Sequence, residues 1–457
     1  MFKKFTNGCV HIVNRWLPDP FIFCIILTII VFVCAIPATG AIHQPGGILT
    51  LLEQGWVGGV WSLLAFSMQM VLVLVLGNAF ATAPAIKRMV GRIASTAKTP
   101  KRAIFIVTFI SLIACWINWG FGLVVGAILA KEVARQTKGV DYRLIIAAAY
   151  SGFVVWHAGF SGSIPLTIAS DFTVGSYSHE AIPISQTIFA PWNIIVCLII
   201  LALLPVILSK AHPAPEETVT VDPSLLEDEV AIFERPKTPA EKTENSRFLS
   251  GVIVAGGIIG LILYFIHNGA NINLNTVNFI FLILGIAFHK TPIAYVRAIS
   301  DAAKGAAGII LQFPFYAGIM GLMVFSFKDA DGVAISNSLA GVISHFFVVI
   351  SNEMTFPLFT FLSAGIVNFF VPSGGGQWTV QGPIMMPAGE EIGVSPALTG
   401  MAIAWGDAWT NMIQPFWALP ALGIAGLSAR DIMGYCIITL LFTGVVVCLA
   451  FVCVGLL

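Results

Sequence analysis

Nine apolar runs recur along the chain, at 20–38, 61–82, 144–168, 190–208, 250–267, 275–289, 306–327, 395–422 and 431–456. Two further apolar segments, 103–130 and 355–386, break in the middle. A helix needs about 20 apolar residues to cross a bilayer, so a chain built this way lives in lipid. The runs are solidly apolar and lack the alternation of a membrane barrel, which leaves helices as the spanning element. Charged residues make up 10% of the 457, against about 25% in soluble domains. The fold class is an all-α polytopic membrane protein. The first run starts only near Phe21, after a mixed stretch containing Lys3 and Lys4, and reads as a retained span rather than a signal peptide. The eight Cys are scattered without a Cys-x-x-Cys pair and read as small apolar residues. A net charge of zero gives no reason to expect nucleic acid as a partner; membrane lipid is the expected surrounding.

Basic residues set the topology. Lys3, Lys4 and Arg15 precede the first run, and no Lys or Arg follows until Lys87, Arg88, Arg92, Lys98, Lys101 and Arg102. Two crossings therefore return the chain to the cytoplasm. After 103–130 comes a second basic group, Lys131, Arg135, Lys138 and Arg143. Both flanks of 103–130 are thus cytoplasmic, and the segment reads as a re-entrant hairpin turning at Asn118–Gly122. The plainer alternative is one long tilted span. A polar stretch at 209–248, with Pro213, Pro215, Glu216, Glu217, Glu227, Asp228, Pro236 and Lys237, reads as a cytoplasmic linker. One crossing after it inverts the second half, so 355–386 becomes a hairpin entering from outside. Lys328, in an external loop, is the one basic residue out of place. The expected plan is inverted-topology repeats with about nine spans plus two re-entrant hairpins, amino end inside and carboxyl end outside. Residues 1–208 form the first membrane repeat, 209–248 the linker, 249–269 a connecting span and 270–457 the second repeat.

The two broken segments echo each other at an offset of 250, Asn118 to Asn368. Asn118, followed by Gly120 and Gly122, and Asn368, followed by Ser373, Gly374, Gly375 and Gly376, are placed at the hairpin tips; Pro372–Trp378 reads as seven loop-like residues, with the backbone tightly turned at Gly375. Glycines permit sharp turns and expose backbone dipoles, and helix ends there aim partial charges at a ligand. The plainer reading makes these residues helix caps only. Two interrupted spans supply further candidates: His157, Ser161 and Ser163 before Pro165, and Asp407, Thr410 and Asn411 before Pro415. Asp407 is the acidic residue well inside an apolar segment of the second half, and such carboxylates are functional candidates by default. The alternative is a structural hydrogen bond to Trp409 or a neighbouring span. His157 is read as its counterpart in the first half, a residue type that can titrate near neutral pH; the plainer reading is a neutral, hydrogen-bonded His. The coupling cation is read as Na+ or H+. If Na+, the oxygens near Asn118, Asn368 and Asp407 are where it would bind. No cofactor is expected.

No Lys or Arg occurs between Arg143 and Lys210 or between Lys328 and Arg430. A dicarboxylate or phosphate site normally uses an Arg fork, so a small monocarboxylate fits better. Phe121, Trp156, Phe160, Trp378, Trp405, Trp409 and Phe416 offer an apolar wall for a short acyl tail.

The run Asn368–Gly376, continuing through Gln377-Trp378-Thr-Val-Gln381-Gly382-Pro383 to Pro387, resembles the bacterial short-chain fatty acid transporter family. Trp405-Gly406-Asp407-Ala408-Trp409-Thr410-Asn411 and Asn118-Trp119-Gly120 are similar to it as well. The resemblance covers nearly the whole chain. It implies uptake of acids such as acetoacetate or butyrate across the bacterial inner membrane. It places the chain within the wider group of ion-coupled anion transporters, whose paired-hairpin plan supports Asn118 and Asn368 as site residues. The rivals are a C4-dicarboxylate or amino-acid carrier, a channel, and a membrane-embedded enzyme. The last has little support, since no His-Glu-x-x-His pattern or Ser-centred nucleophile elbow occurs. A homo-oligomer is compatible with the sequence.

Overall fold

The structure is a computed structural model and describes residues 2–16, 18–174, 177–221, 238–269, 274–329, 332 and 334–456. An amphipathic α1 (Phe2–Trp16) precedes the first crossing, α2 (Pro20–Thr39), which starts on the Asp19 side-chain cap. α3 (Gly47–Thr50), a π-helical stretch over Leu51–Val57 and α4 (Gly58–Val60) lead into α5 (Leu64–Thr82). The expected run at 61–82 thus has a helical lead-in. Then follow α6 (Pro84–Ala94), α7 (Pro100–Ile117), α8 (Trp119–Gln136), α9 (Tyr142–Ser151) with a 3-10 extension over Gly152–Ala158, and α10 (Ser163–Thr167). A small antiparallel pair, β1 (Phe172–Val174) and β2 (Tyr177–His179), leads to α11 (Pro191–Lys210).

After the linker, α12 (Pro239–Glu244) and α13 (Arg247–Asn268) come before α14 (Leu274–His289), α15 (Pro292–Ala303) and α16 (Ala307–Val324). The chain ends with α17 (Leu339–Val349), α18 (Phe356–Phe370), α19 (Gly374–Ile392), α20 (Pro396–Thr410), α21 (Leu419–Ala425) and α22 (Ala429–Gly455). Among the described residues, 8 helical stretches are long and apolar enough to cross a membrane. One of them, α7, is a hairpin arm. Adding the shorter α14 and the interrupted α20–α21 gives the nine crossings read from the sequence.

Both broken segments are antiparallel hairpins. In the first, a Cβ at Gly122 would strike Cys115, and one at Gly126 would lie 2.6 Å from Ser111 Oγ. The residue numbers fall on one arm as they rise on the other. Beyond the arms, Thr137 Oγ1 donates to the Ala97 carbonyl at 2.8 Å, so both ends lie together. In the second, Gln377 Nε2 donates to Ala364 O at 2.9 Å, Gln381 Nε2 to Ser363 Oγ at 3.0 Å, and Gly389 packs on Phe356.

The two halves repeat in order and exchange partners. The first residues of α14, α17, α18, α19 and α20 lie 254 to 256 positions after those of α2, α6, α7, α8 and α9. α2 packs on α16 while α14 packs on α5, and α8 meets α21 while α19 meets α10. α14 runs parallel to α5: Asn278 Nδ2 donates to Gln69 O at 3.0 Å, and His289 Nε2 lies 2.7 Å from Ala79 O. The counterpart of α2 therefore runs with the return span, opposite to α2 itself. This is an inverted repeat.

The linker's first part docks on the start of α9. The buried Asp141 carboxylate caps α9 through Leu144 N at 2.9 Å, accepts from Val219 N at 2.9 Å and pairs with Arg143 at 3.0 Å. Residues Glu227, Asp228, Pro236 and Lys237 lie outside the described residues. α13 stands at the periphery, with Val252, Ile253, Ile259, Ile262 and Ile266 exposed, as a lipid-facing helix would be.

Candidate functional site

The interrupted spans cross antiparallel through the middle of the molecule. Tyr142 Oη donates to Ala425 O at 2.7 Å and Tyr150 Oη to Asn411 O at 2.6 Å. At the other end Gly400 faces Ile168. Between these contacts, His157 Nδ1 lies 2.9 Å from Asp407 Oδ2, and both side chains are fully buried. The residues singled out as counterparts, 250 positions apart, are bonded to each other. Of the structural bonds considered for Asp407, the one to a neighbouring span forms, with His157, and the one to Trp409 does not; the Trp409 indole donates to Leu440 O at 2.7 Å.

Local breaks create this geometry. The 3-10 extension ends at Ala158, and Gly159 lies so close to the Trp116 backbone that a Cβ would clash. The chain re-enters helix at Ser163, and Ile164 N–H donates to His157 Nε2 at 3.1 Å. That backbone donor fixes the tautomer: Nε2 accepts, so Nδ1 carries the proton and donates to the Asp407 carboxylate. The second carboxylate oxygen, Oδ1, has no partner among the described residues.

Each hairpin tip stands beside one break. Asn118 ends α7 and caps α8, its Oδ1 accepting from Phe121 N at 3.0 Å. Ser161 Oγ accepts from Trp119 N at 2.9 Å, tying the first tip to the first break. Gly120 and Gly122 are buried in the first turn of α8. Ser163 opens α10, and among the described residues no side-chain bond joins it to the pair. In the second hairpin, Ser373 caps α19 by accepting from Gly376 N at 3.3 Å. A Cβ at Gly374 would lie 2.7 Å from His157 Cε1, so this helix start rests against the imidazole.

Three expectations need correction. Asn368 is not at the tip but in the last turn of α18, where Nδ2 donates to Thr410 Oγ1 and Asn411 Oδ1, each at 2.9 Å. The residues 374–378 are the first turn of α19, not a loop. Gly375 is exposed, and a Cβ there meets nothing within 4 Å, so the backbone is not tightly packed at that point.

Several polar residues were not assigned to the site from the sequence. Gln377 and Gln381, four apart on α19, stitch the second hairpin together; Gln377 Nε2 also donates to Gln381 Oε1 at 2.8 Å, and Gln381 reaches Ser344 Oγ at 3.1 Å. Asn193 on α11 accepts from Trp405 Nε1 at 2.9 Å and donates to Ile188 O at 2.8 Å. The available signal was an uncharged amide inside an apolar run, which is costly to bury unpaired.

The cluster leaves a definite polar imbalance. Thr410 Oγ1 donates to Gly365 O at 2.8 Å, so it must accept from Asn368, which fixes that amide's orientation. Asn368 Oδ1, Gln377 Oε1 and Asp407 Oδ1 are then buried acceptors without donors among the described residues, on α18, α19 and α20. Among the described residues no three His, Cys, Asp or Glu side chains cluster as a metal site would.

A family model described as short chain fatty acid transporter matches residues 1–454. An Escherichia coli (strain K12) protein named "Putative short-chain fatty acid transporter" is 46% identical over 450 residues, covering 98% of both chains. A Haemophilus influenzae protein of the same name is 45% identical, over 97% of this chain and 98% of its own. The Escherichia coli "Putative basic amino acid antiporter YfcC" shares 26% identity over only 34% of this chain and 31% of its own. Among solved structures, the Alcanivorax borkumensis YdaH transporter aligns over 96% of this chain and 98% of its own at 16% identity. Its TM-score is 0.42, too low to carry an argument.

Proposed function

Because the chain belongs to the short-chain fatty acid transporter family, we propose that it is a secondary active carrier that takes up acetoacetate- or butyrate-like monocarboxylates by cation symport. The observation that carries this reading is the buried His157–Asp407 pair joining the two inverted halves. A carboxylate at the crossing of two interrupted helices is the group whose charge a coupling cation would balance. The acceptors Asp407 Oδ1, Asn368 Oδ1 and Gln377 Oε1 suit a hard cation or a proton, since oxygen is the ligand of such ions.

The repeats at 1–208 and 270–457 are the parts that rock, with 209–248 and 249–269 as linker and connecting span. The membrane is the bacterial inner membrane, with the amino terminus cytoplasmic and the carboxyl terminus periplasmic. Basic residues on the loop ends of the first hairpin support that orientation.

The test is uptake of labelled butyrate into proteoliposomes under separately imposed Na+ and proton gradients. We expect accumulation against the butyrate gradient under one of them. Uptake that only equilibrates, whatever the gradient, would overturn symport and point to an uncoupled pathway such as a channel. Competition by succinate or arginine exceeding that by acetoacetate would sink the monocarboxylate reading.

A further inference from the structure

We propose that the carboxylate of the transported acid is held by uncharged N–H donors at the second break, namely the Gln414 amide and the Trp417 indole, aided by Trp156 and Asn411. This rests on the transport reading above. The donor set follows from the hydrogen bonds already formed. Gln414 Oε1 accepts from the Phe416 backbone N–H at 2.8 Å, which turns the amide so that its NH2 end is the unpaired one. Asn411 Oδ1 accepts from Asn368 at 2.9 Å, again leaving the NH2 end unpaired. Trp156 Nε1 and Trp417 Nε1 likewise have no acceptor among the described residues. All four side chains are at most 2% exposed.

The two indoles are neighbours, and Gln414 and Asn411 lie on the same broken segment as Trp417. The Trp156 and Trp417 rings lie 5.9 Å apart, and Phe416 lies 5.3 Å from Trp417. Phe153 lies 5.4 Å from both Trp156 and Trp417. The group therefore combines buried donors that lack acceptors with aromatic faces. A carboxylate is acceptor-only and takes about four hydrogen bonds, and bonds to an ionised group are the strong ones. A short alkyl tail would lie against Phe153 and Phe416. The segments carrying the donors contain no Lys or Arg, between Arg143 and Lys210 or between Lys328 and Arg430, so neutral donors must do the work a basic side chain does elsewhere. Phe66 and Phe313 stack in turn on Phe416, extending the aromatic surface beside the donors.

The experiment compares Trp417→Phe, Trp156→Phe and Gln414→Leu with the wild-type carrier in butyrate uptake. The Phe variants keep an aromatic face but lose the N–H together with the rest of the pyrrole ring, so melting temperature is read beside uptake to separate a packing loss from a lost donor. We expect Trp417→Phe and Gln414→Leu each to raise the apparent KM roughly tenfold with maximal rate retained, the loss expected for one bond to a charged group. Competition by butyramide, which lacks the charge, should be weak and insensitive to either change. Should Gln414→Leu not fold, Trp417→Phe decides alone. Wild-type uptake with an unaltered KM in Trp417→Phe would overturn the subsite and leave the transport reading standing. A wild-type carrier that moves no monocarboxylate would overturn both.

Discussion

Asp407→Asn is expected to lower gradient-driven accumulation of butyrate on the order of 100-fold, equivalent to about 2.7 kcal/mol, in a protein that still folds. The asparagine oxygen can replace Oδ2 as acceptor for the His157 Nδ1–H at 2.9 Å, so the crossing of the two interrupted helices stays intact. What disappears is the negative charge, and with it the reason for a cation to accompany the substrate. Asp407→Leu should behave differently. It leaves a buried imidazole N–H unpaired, at a cost of about 1–3 kcal/mol, and should lower thermal stability as well as uptake. Accumulation in proteoliposomes, read beside size-exclusion behaviour and melting temperature in detergent, separates the two effects. Asp407→Asn that accumulates butyrate at the wild-type level would remove the carboxylate from the coupling step.

A second large effect is expected at Gly406. α18 and α20 approach backbone to backbone there. A Cβ at Gly406 would strike the Phe361 carbonyl and lie 2.5 Å from Ala364 Cβ and 2.9 Å from Gly365 N. Main chain cannot yield as a flexible side chain does, so Gly406→Val should cost about 1–3 kcal/mol or more. It would also push apart the helices that hold Asn368, Asp407 and Thr410. The control is Gly375→Ala. Although it sits in the glycine run, its Cβ would meet nothing within 4 Å, and uptake should stay close to wild type. The measurement is expression, melting temperature and uptake for both variants. A stable, active Gly406→Val, or an inactive Gly375→Ala, would contradict the packing described.

The broad architecture was legible because its causes are local. Apolar runs form helices in lipid whatever their neighbours, and the basic clusters at 87–102 and 131–143 require both ends of one broken segment to lie on one side. The tip of the second hairpin was misplaced for an identifiable reason. Sequence comparison paired Asn118 with Asn368, yet the backbone pairs Asn118 (φ −154, ψ 122) with Ser373 (φ −154, ψ 114). Asn and Ser cap a helix about equally well, so the geometry repeats where the residue type does not. The glycine run suggested a loop because glycine is a poor helix former, but a capped first turn followed by a packed helix tolerates it.

Other features depend on distant partners. The short α6, α15 and α17 and the β1–β2 pair are too brief or too amphipathic to stand out as apolar runs. The spacing of His157 and Asp407 suggested correspondence, but their direct bond requires the antiparallel crossing, which no single segment encodes. The unpaired ends of Gln414 and Asn411 became visible only once Phe416 N–H and Asn368 had claimed their oxygens.

The central claim is that two chain reversals enter the membrane from opposite sides and meet at the His157–Asp407 crossing. The most direct measurement is labelling of single cysteines at Ser95, Lys138, Glu353 and Glu391, all exposed, in a background lacking the eight native cysteines, with a membrane-impermeant thiol reagent applied from each face. Residues 95 and 138 should react from the cytoplasmic face, and 353 and 391 from the opposite one. Labelling of 95 and 138 from different faces would make the first hairpin a simple span and contradict the account.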